Sequence, residues 1–273
     1  MIVFPNAKIN LGLFITLKRP DGYHNLETVF VPVKEFCDIL EVLTAPESTA
    51  DIFNNSGLQI GGKPEDNLCL KALKLLRKRA DIPPLKIHLH KVIPFGAGLG
   101  GGSADAAFML TLLNEQYNLN FSLDELESLA SELGADCPVF IRNKPIFAKG
   151  IGNEFSVINT GILSGMWIRL VIPPIHVPTA LAYKNVSPSQ PAIPLNKLVS
   201  KPLEVWKSGI KNDFEDSVFS QYGEIKTIKD KLYQQGALYA SMSGSGSAVY
   251  GIFRNEPPEK TWPENYIVYN GIL

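Results

Sequence analysis

The sequence predicts an α+β protein in two halves. Predicted strands and helices are mixed along the chain without a regular βαβα repeat, which argues against a doubly wound parallel sheet. The length of 273 residues suits one large domain or two modest ones. A boundary is expected between about residues 157 and 165, because a buried strand then opens a new unit. We therefore expect one domain over residues 1–158 and a second over residues 159–273.

The strands are predicted from apolar and β-branched runs that end in turn residues. Three of them fill most of the first 45 residues, and the turn sequence at residues 19–22 follows the first. The predicted strands are residues 8–18, 26–33, 36–43, 86–93, 168–172, 237–242 and 248–253. Glycine and proline predict a turn at residues 57–64 and an exposed connection at residues 188–194.

The helices are predicted from apolar periodicity together with capping residues. Asn67 is expected to cap a helix with a leucine-rich face. An apolar helix is expected from near residue 103 to about residue 113. Ser122 opens the next helix, with two acidic residues in its first turn. Two more helices are expected at residues 215–222 and 224–235.

Composition excludes several classes of protein. There are 26 Lys and Arg against 27 Asp and Glu, so a broad electrostatic nucleic-acid binder is not expected. No apolar run approaches the length of a membrane span, and the start lacks the pattern of a signal peptide. Three widely spaced cysteines indicate reduced thiols and neither a disulfide scaffold nor a cysteine-rich zinc site. We expect a cytoplasmic protein without a membrane or nucleic-acid partner.

The strongest local signal is a glycine-rich segment, which we call the glycine loop (residues 94–103). It consists of Pro94, Phe95, Gly96, Ala97, Gly98, Leu99, Gly100, Gly101, Gly102 and Ser103. Glycines let the backbone approach a ligand, and the helix that follows adds its positive dipole end. Phosphate is the ligand that this construction suits best. The alternative is a flexible or tightly packed turn.

Two familiar phosphate-binding motifs nearly fit the glycine loop. Residues 96–101 satisfy GxGxxG, but Glu115 lies in a helical context where a dinucleotide fold needs an acidic residue ending a strand. Residues 96–103 match a P-loop except that Gly102 replaces its lysine. If the loop holds a triphosphate, the cation must come from elsewhere in the chain.

Three features could complete such a site. Lys8 lies in an apolar strand, either on a solvent-facing edge or pointing into a site. Asp136 follows a helix, either as a turn cap or as a carboxylate that takes a proton from an alcohol. A second glycine run at residues 243–247 joins two strands, either as a hairpin turn or as part of the site.

Together these motifs resemble the GHMP family, the small-molecule kinases that phosphorylate galactose, homoserine, mevalonate and related alcohols. Residues 5–11, 94–107 and 243–247 carry the resemblance in the family's order. Residues 19–24, 134–140 and 212–215 extend it, so that it spans nearly the whole chain. The resemblance implies an N-terminal domain like domain 2 of ribosomal protein S5. It also implies a ferredoxin-like α/β C-terminal domain, with the active site in the cleft between the domains.

The resemblance also implies an activity. A Tyr-His pair after an Asp-Gly turn, residues 21–24, is similar to that of members that act on cytidine-diphosphate methylerythritol. Such an enzyme would use ATP to phosphorylate the 2-hydroxyl of this substrate in the non-mevalonate isoprenoid pathway. Mg²⁺ would be held mainly through the nucleotide, since the family shows no fixed set of protein metal ligands.

The family implies roles for individual residues. Lys8 and Asp136 would form the catalytic pair, with Ser103 near the magnesium ion. The residues expected to bind ATP are Asn67, Lys91, Pro94, Gly96, Ala97, Gly98, Leu99, Gly100, Gly101, Gly102 and Ser103. The residues expected to bind the substrate are Asn10, Tyr23, His24, Asp136, Thr179 and Tyr183. Among these, the two tyrosines would sandwich the cytosine, and the histidine would hydrogen-bond its polar edge.

Two alternatives remain open at this point. One is a mevalonate- or homoserine-type kinase, whose substrate offers no base for Tyr23 and Tyr183 to stack on. The other is a nucleotide-binding sensor without transfer activity, which would need the glycine loop but neither Lys8 nor Asp136. The sequence gives no prediction of oligomeric state, because no surface stripe indicates an interface.

Overall fold

The computed structural model describes residues 1–59, 61, 64–184 and 186–273. The chain forms two compact units, each of which mixes helices and strands, so the α+β class is confirmed. The first unit consists of Met1–Ala7, Val33–Phe95 and Gly100–Lys144. The second unit consists of Lys8–Pro32, Gly96–Leu99 and Pro145–Leu273.

A four-stranded sheet in the order β1-β4-β6-β5 forms one side of the first unit. Its strands are β1 (Ile2–Val3), β4 (Ile39–Thr44), β5 (Ile52–Gly57) and β6 (Leu85–Lys91). β5 runs parallel to β6, and the other pairs are antiparallel. β6 alternates strictly, with Leu85, Ile87 and Leu89 facing the core. The same period places Lys91 on the inner face, where it is buried.

Four helices belong to the first unit, and a 3-10 turn (Pro64–Asp66) precedes them. They are α1 (Leu68–Leu76), α2 (Gly101–Gln116), α3 (Leu123–Leu133) and α4 (Cys137–Arg142). Asn67 caps α1 by accepting a hydrogen bond from the Cys69 amide at 2.8 Å, as predicted. Ser122 and Glu125 form a reciprocal capping box at the start of α3.

The second unit contains two four-stranded sheets, ordered β2-β3-β7-β8 and β10-β11-β9-β12. The strands of the first of these are β2 (Asn6–Lys18), β3 (His24–Cys37), β7 (Ile146–Lys149) and β8 (Glu154–Val157). The strands of the other are β9 (Trp167–Ile172), β10 (Tyr239–Met242), β11 (Val249–Phe253) and β12 (Ile267–Ile272). Residues 6–7 of β2 and 33–37 of β3 belong to the first unit. The pairings of β11 with β9 and β10, and of β12 with β9, are antiparallel.

Among the described residues, five helices and two 3-10 turns complete the second unit. The helices are α5 (Thr179–Tyr183), α6 (Leu195–Val199), α7 (Trp206–Gly209), α8 (Glu215–Gln221) and α9 (Gly223–Gln234). The 3-10 turns are Gly161–Leu163 and Leu203–Val205. Its core packs side chains of α8 and α9 against β10 and β11, with Phe214, Ile228 and Val249 among the buried members. No helix among the described residues is long and apolar enough to cross a bilayer.

The predicted strands and helices are confirmed with shifted ends, and the connection at residues 188–194 is irregular as expected. The predicted position of the break between the second and third strands, near residue 34, was wrong. The break lies at Asp38, because Asp38 Oδ1 accepts hydrogen bonds from the Val92 and Ile93 amides. Residues 60, 62 and 63 of the predicted turn at 57–64 lie outside the described residues.

Candidate functional site

A pocket of about 270 Å³ lies within the first unit, beside the first turns of α2. Apolar side chains form much of its wall, namely Phe53, Leu58, Leu68, Ile93 and Phe95. Its polar side chains include Asn55, Asn67, Lys91 and Asp105. Phe95 is 79% exposed, an unusual position for a phenylalanine and one that leaves its ring accessible to a ligand. We call this space the first-unit pocket. Apolar walls with a few polar groups are typical of sites for small molecules.

Three buried ionisable groups hydrogen-bond to one another at this pocket, and we call them the acid–lysine cluster (Asp38, Lys91 and Asp105). Of these, Lys91 and Asp105 line the pocket. Lys91 Nζ donates hydrogen bonds to Asp38 Oδ2 and, at 2.6 Å, to Asp105 Oδ2. Burial acts to lower the pKa of Lys91, but the two neighbouring acids outweigh it and raise that pKa. The ammonium is therefore held in its charged form.

Asp105 is the least satisfied member of the acid–lysine cluster. Its Oδ1 is buried and has no hydrogen-bond partner among the described residues. Burial, opposed by Lys91 and reinforced by Asp38, raises the pKa of Asp105 to about 8. At neutral pH this carboxyl group is therefore mostly protonated.

In the second unit, Lys8 points inward from β2 and is 3% exposed. Its Nζ donates to Asn10 Oδ1 at 2.6 Å and to the Gly98 carbonyl of the glycine loop at 3.1 Å. Asn10 Nδ2 donates to Thr28 Oγ1 at 3.0 Å, which fixes the amide. Of the two interpretations of Lys8, the solvent-facing edge is wrong, because the side chain is buried. That Lys8 points into a binding site stays a prediction.

The glycine loop approaches the second glycine run closely at Gly98. Gly98 has φ of +78°, and a Cβ there would lie 2.0 Å from the Ser243 carbonyl oxygen. The Gly98 carbonyl also accepts a hydrogen bond from Ser243 Oγ at 2.8 Å. Only glycine fits this position, because the conformation and the close approach each exclude a side chain. We call Lys8, Asn10, Thr28, Gly98 and Ser243 the lysine cluster.

The second glycine run is the turn between β10 and β11, so the hairpin interpretation is confirmed. A buried amide, Asn212 Nδ2, donates to the Met242 carbonyl at 2.9 Å and the Gly244 carbonyl at 2.8 Å. Glu215 Oε1 accepts from the Met242 amide at 2.9 Å. The motif at residues 212–215 therefore holds this hairpin in place.

An aromatic group lies elsewhere in the second unit. The rings of His24 and Tyr183 stack with centroids 5.0 Å apart, and Phe214 packs edge-on against Tyr183 at 4.6 Å. Tyr23 is 62% exposed, so it is not a packed strand-end tyrosine. Thr179 begins α5 one turn before Tyr183, and its Oγ1 lies 3.4 Å from Ser245 Oγ. The structure thus brings His24 and Tyr183 together, with Thr179 on the same short helix.

Asp136 lies in the first unit, immediately before α4, and is half-buried. Ser103, in the first turn of α2, acts to lower the pKa of the Cys137 thiol. Burial and the charge of Asp136 raise the pKa of that thiol to about 11, against the effect of Ser103. The thiol is therefore uncharged at neutral pH.

Sequence reasoning missed several residues of these regions. Asp105 could have been found from the sequence, because it lies on the buried face of the apolar helix α2 and a buried carboxylate needs a partner. Asp38 carried no such signal, because its partners Lys91 and Val92 are distant in sequence. Phe95 was seen only as part of the glycine loop, although an exposed phenylalanine beside a pocket suits a ligand.

Comparison with known families places the chain among kinases. The model of the GHMP kinases N terminal domain matches residues 67–144, and the model of the GHMP kinases C terminal domain matches residues 197–262. The first range contains α1, α2, α3 and α4, and the second contains the hairpin between β10 and β11.

Curated relatives match over the whole length. A protein of Bacteroides thetaiotaomicron named 4-diphosphocytidyl-2-C-methyl-D-erythritol kinase is 54% identical over 100% of both chains. A protein of Azobacteroides pseudotrichonymphae with the same name is 49% identical, again over 100% of both.

Solved structures agree with these relatives. The crystal structure of a 4-(cytidine 5'-diphospho)-2C-methyl-D-erythritol kinase has a TM-score of 0.79 and 32% identity, and the match covers 92% of this chain and 90% of that one. A mevalonate kinase structure has a TM-score of 0.63 at 16% identity over 99% of this chain and 98% of that one, which shows a shared fold alone. The chain therefore belongs to the GHMP kinase family, in the branch whose members are named 4-diphosphocytidyl-2-C-methyl-D-erythritol kinase.

Proposed function

We propose that this protein is an ATP-dependent kinase that phosphorylates the 2-hydroxyl of 4-diphosphocytidyl-2-C-methyl-D-erythritol in the non-mevalonate isoprenoid pathway. The relatives that match over the whole chain carry the name of this activity. The structural observation that carries the proposal is the hydrogen bond from Lys8 to Gly98. It brings a lysine from the first long strand to a glycine loop that lacks the P-loop lysine.

The first-unit pocket is proposed to receive the adenosine part of ATP. Its apolar walls suit a flat ring, and Asn67 and Lys91 supply polar groups beside it. The glycine loop, from Pro94 to Ser103, is proposed to hold the phosphates with its backbone amides and the N-terminus of α2.

The aromatic group of the second unit is proposed to bind the cytidine end of the substrate. Tyr23 and Tyr183 would stack on the cytosine, and His24 would hydrogen-bond its polar edge. In the described structure the His24 ring lies against Tyr183, so two of the proposed contacts of the base are side by side. Asn10 and Thr179 are proposed to contact the diphosphate and erythritol parts.

Asp136 and Lys8 are proposed as the catalytic residues. The Asp136 carboxylate takes the proton of the 2-hydroxyl as its oxygen forms a bond to the γ-phosphorus. The bond between the γ-phosphorus and the bridging oxygen breaks, and ADP leaves with that oxygen. Lys8 stabilises the negative charge that develops during transfer.

Magnesium is proposed to enter with the nucleotide. The Ser103 hydroxyl is the kind of hard oxygen donor that suits this ion, and no group of three or more His, Cys, Asp or Glu among the described residues could hold a metal. When bound, the ion would neutralise charge on the ATP phosphates.

The remaining proposals concern location and domain organisation. Free Cys37, Cys69 and Cys137 support a reducing compartment, and we propose the cytoplasm. We also propose a domain boundary at residues 158 and 159, which is supported by family models that match on either side of it.

Product analysis tests the proposed function. Incubation with ATP, magnesium and the cytidine-linked diol is expected to give a product heavier by one phosphoryl group, detected by mass spectrometry, with one ADP formed for each product. Mevalonate and homoserine in parallel are expected to give no product. Phosphorylation of either one in preference to the cytidine compound, or of no alcohol at all, would contradict the proposal.

The variant Asp136→Asn tests the catalytic step. It is expected to lower kcat by at least about 10²-fold with little change in ATP affinity, because a general base is lost while the first-unit pocket is unchanged. Stopped-assay turnover and ATP binding by calorimetry measure the two effects. Asp81→Asn, at an exposed position of the same unit, is the matched control. Turnover of Asp136→Asn close to that of the control would remove Asp136 from the mechanism.

A further inference from the structure

The connection between β9 and α5 carries a histidine that the proposed reaction does not use. His176 is exposed, and its ring makes no hydrogen bond or ion pair with another described residue. We propose that the His176 imidazole donates a hydrogen bond to a phosphate oxygen of ATP at the start of the glycine loop. This inference rests on the proposed function and adds one binding residue to its nucleotide site.

The backbone around His176 is held in place before any ligand binds. Three prolines within residues 173–178 restrict the connection, because the proline ring fixes φ. The Pro173 carbonyl accepts a hydrogen bond from Ser247 Oγ at 3.3 Å, which ties the connection to the hairpin between β10 and β11. Val177, the next residue, is buried in the core of the second unit. His176 is therefore presented at a defined place, and little of its backbone needs to be ordered on binding.

The His176 ring lies against Gly96 of the glycine loop. A Cβ at Gly96 would lie 3.0 Å from His176 Nδ1 and 3.2 Å from His176 Cε1, and Gly96 has a φ of +71°. The ring therefore occupies the side of Gly96 where another residue would carry its side chain. Both residues belong to the second unit, so this contact lies within one compact unit.

The imidazole supplies a side-chain donor at a point where the glycine loop has none. Gly102 replaces the P-loop lysine, and Lys8 reaches the loop at Gly98, two positions after Gly96. An imidazole carries at least one N–H in either tautomer, so it can donate to a phosphate oxygen. Hydrogen bonds to charged oxygens are among the stronger ones in proteins. His176 is therefore suited to hold a phosphate at the start of the loop.

Two ligands of the proposed reaction carry phosphates, and the contacts of this connection favour ATP. Thr179, which is proposed to contact the diphosphate and erythritol parts of the substrate, lies three residues after His176. Its Oγ1 lies 3.4 Å from Ser245 Oγ, in the second glycine run. The His176 ring instead packs against Gly96, which belongs to the loop proposed for ATP. We therefore assign His176 to the nucleotide.

ATP binding by three variants tests the proposal. His176→Ala is expected to lower the ATP affinity, measured by calorimetry with magnesium present, about 5- to 20-fold, because a hydrogen bond to a charged oxygen is lost. Its affinity for adenosine, measured by competition, should not change. His176→Gln keeps an N–H donor, so its ATP affinity should return to within about threefold of the wild type. His176→Phe keeps a flat ring without a donor and should bind ATP as weakly as His176→Ala.

His88→Ala is the matched control. His88 is an exposed histidine on the face of β6 opposite to Lys91, so its loss should leave the ATP affinity at the wild-type value. The KM of the cytidine substrate is expected to stay constant in all four variants.

Three outcomes would overturn the inference. The first is that His176→Phe binds ATP like the wild type, or that His176→Gln binds it like His176→Ala, since the donor would then not matter. The second is an equal loss of ATP and adenosine affinity in His176→Ala. The third is a raised KM for the cytidine substrate with unchanged ATP affinity, which would assign the donor to the diphosphate of the substrate.

These binding measurements need no phosphoryl transfer, so the two proposals can fail separately. A protein whose ATP affinity depends on His176 as expected, but which phosphorylates no alcohol, would refute the proposed function alone. A protein that phosphorylates the cytidine compound, and whose three His176 variants bind ATP like the wild type, would refute this inference alone.

Discussion

The first-unit pocket and the lysine cluster differ in how they hold a buried ammonium group. In the pocket, Lys91 donates to two acids beside apolar walls. In the lysine cluster, Lys8 donates to an amide oxygen and a backbone carbonyl. An apolar pocket with a few polar groups suits a base, and a buried ammonium beside a glycine loop suits a phosphoryl group. By their chemistry the two regions suit the roles proposed for them at the two ends of ATP.

The first-unit pocket and the lysine cluster also differ in how far apart in sequence their residues are. The acid–lysine cluster comes from one stretch between residues 38 and 105. The lysine cluster joins Lys8 to Gly98, 90 positions away, and Asn10 to Ser243, 233 positions away. A change in the lysine cluster should therefore disturb the placement of several distant segments, whereas a change in the pocket should act locally.

The largest expected effect is that of Lys8→Met. Loss of a preorganised positive group is expected to lower kcat by about 10²-fold or more, with a smaller change in ATP affinity. Lys18→Met, at the exposed end of the same strand, is the matched control. Single-turnover kinetics and calorimetry separate the two effects. If ATP affinity falls as much as kcat, the assignment of Lys8 to the reacting phosphoryl group is wrong.

A smaller effect is expected for Tyr23→Ala. Stacking on a base contributes about 1–3 kcal/mol, so the KM of the cytidine substrate should rise roughly 5- to 100-fold while the ATP KM changes little. Leu17→Ala removes another exposed apolar side chain from the same hairpin and serves as the control. Steady-state kinetics with each substrate varied in turn would measure both constants. Equal increases in the two would show that Tyr23 does not distinguish the substrates.

The smallest effect is expected for substitutions of Asn67, whose side chain caps α1 and is also proposed to contact ATP. Asn67→Ala should lower the free energy of unfolding by about 1 kcal/mol, because the cap of α1 is lost. Asn67→Asp keeps the capping oxygen but loses the amide hydrogens, so it should keep stability and raise the ATP KM. Denaturant unfolding and ATP kinetics measure the two. If the ATP KM of Asn67→Asp is unchanged, Asn67 caps α1 but does not contribute to ATP binding.

Local chemistry made much of the fold predictable. The helix caps at Asn67 and Ser122 were predicted correctly, because a cap depends on residues within one turn. The strands β1, β5, β7, β8 and β12 were missed. β5 is polar along most of its length and exists because it pairs with β6, which is a tertiary contact. Asn212 is similar, since its role depends on a hairpin thirty residues away.

The candidate site was predictable where glycine, lysine and aspartate stand out in apolar surroundings. The missing P-loop lysine led to the prediction that a cation comes from elsewhere in the chain, and Lys8, one candidate, donates to the Gly98 carbonyl of the glycine loop. The stack of His24 on Tyr183 was not predictable, because the geometry of two rings on separate elements depends on packing. Catalytic roles for Lys8 and Asp136 stay predictions for the kinetic experiments.

The two hydrogen bonds from Asn212 have a consequence for how the loop between β10 and β11 meets a ligand. A surface loop rich in glycine and serine ordinarily samples many conformations, and freezing them on binding subtracts from affinity. Here one buried amide fixes the carbonyls at Met242 and Gly244 during folding. The entropy of this segment is lost before any nucleotide or alcohol arrives, so affinity for either is not diminished by ordering it.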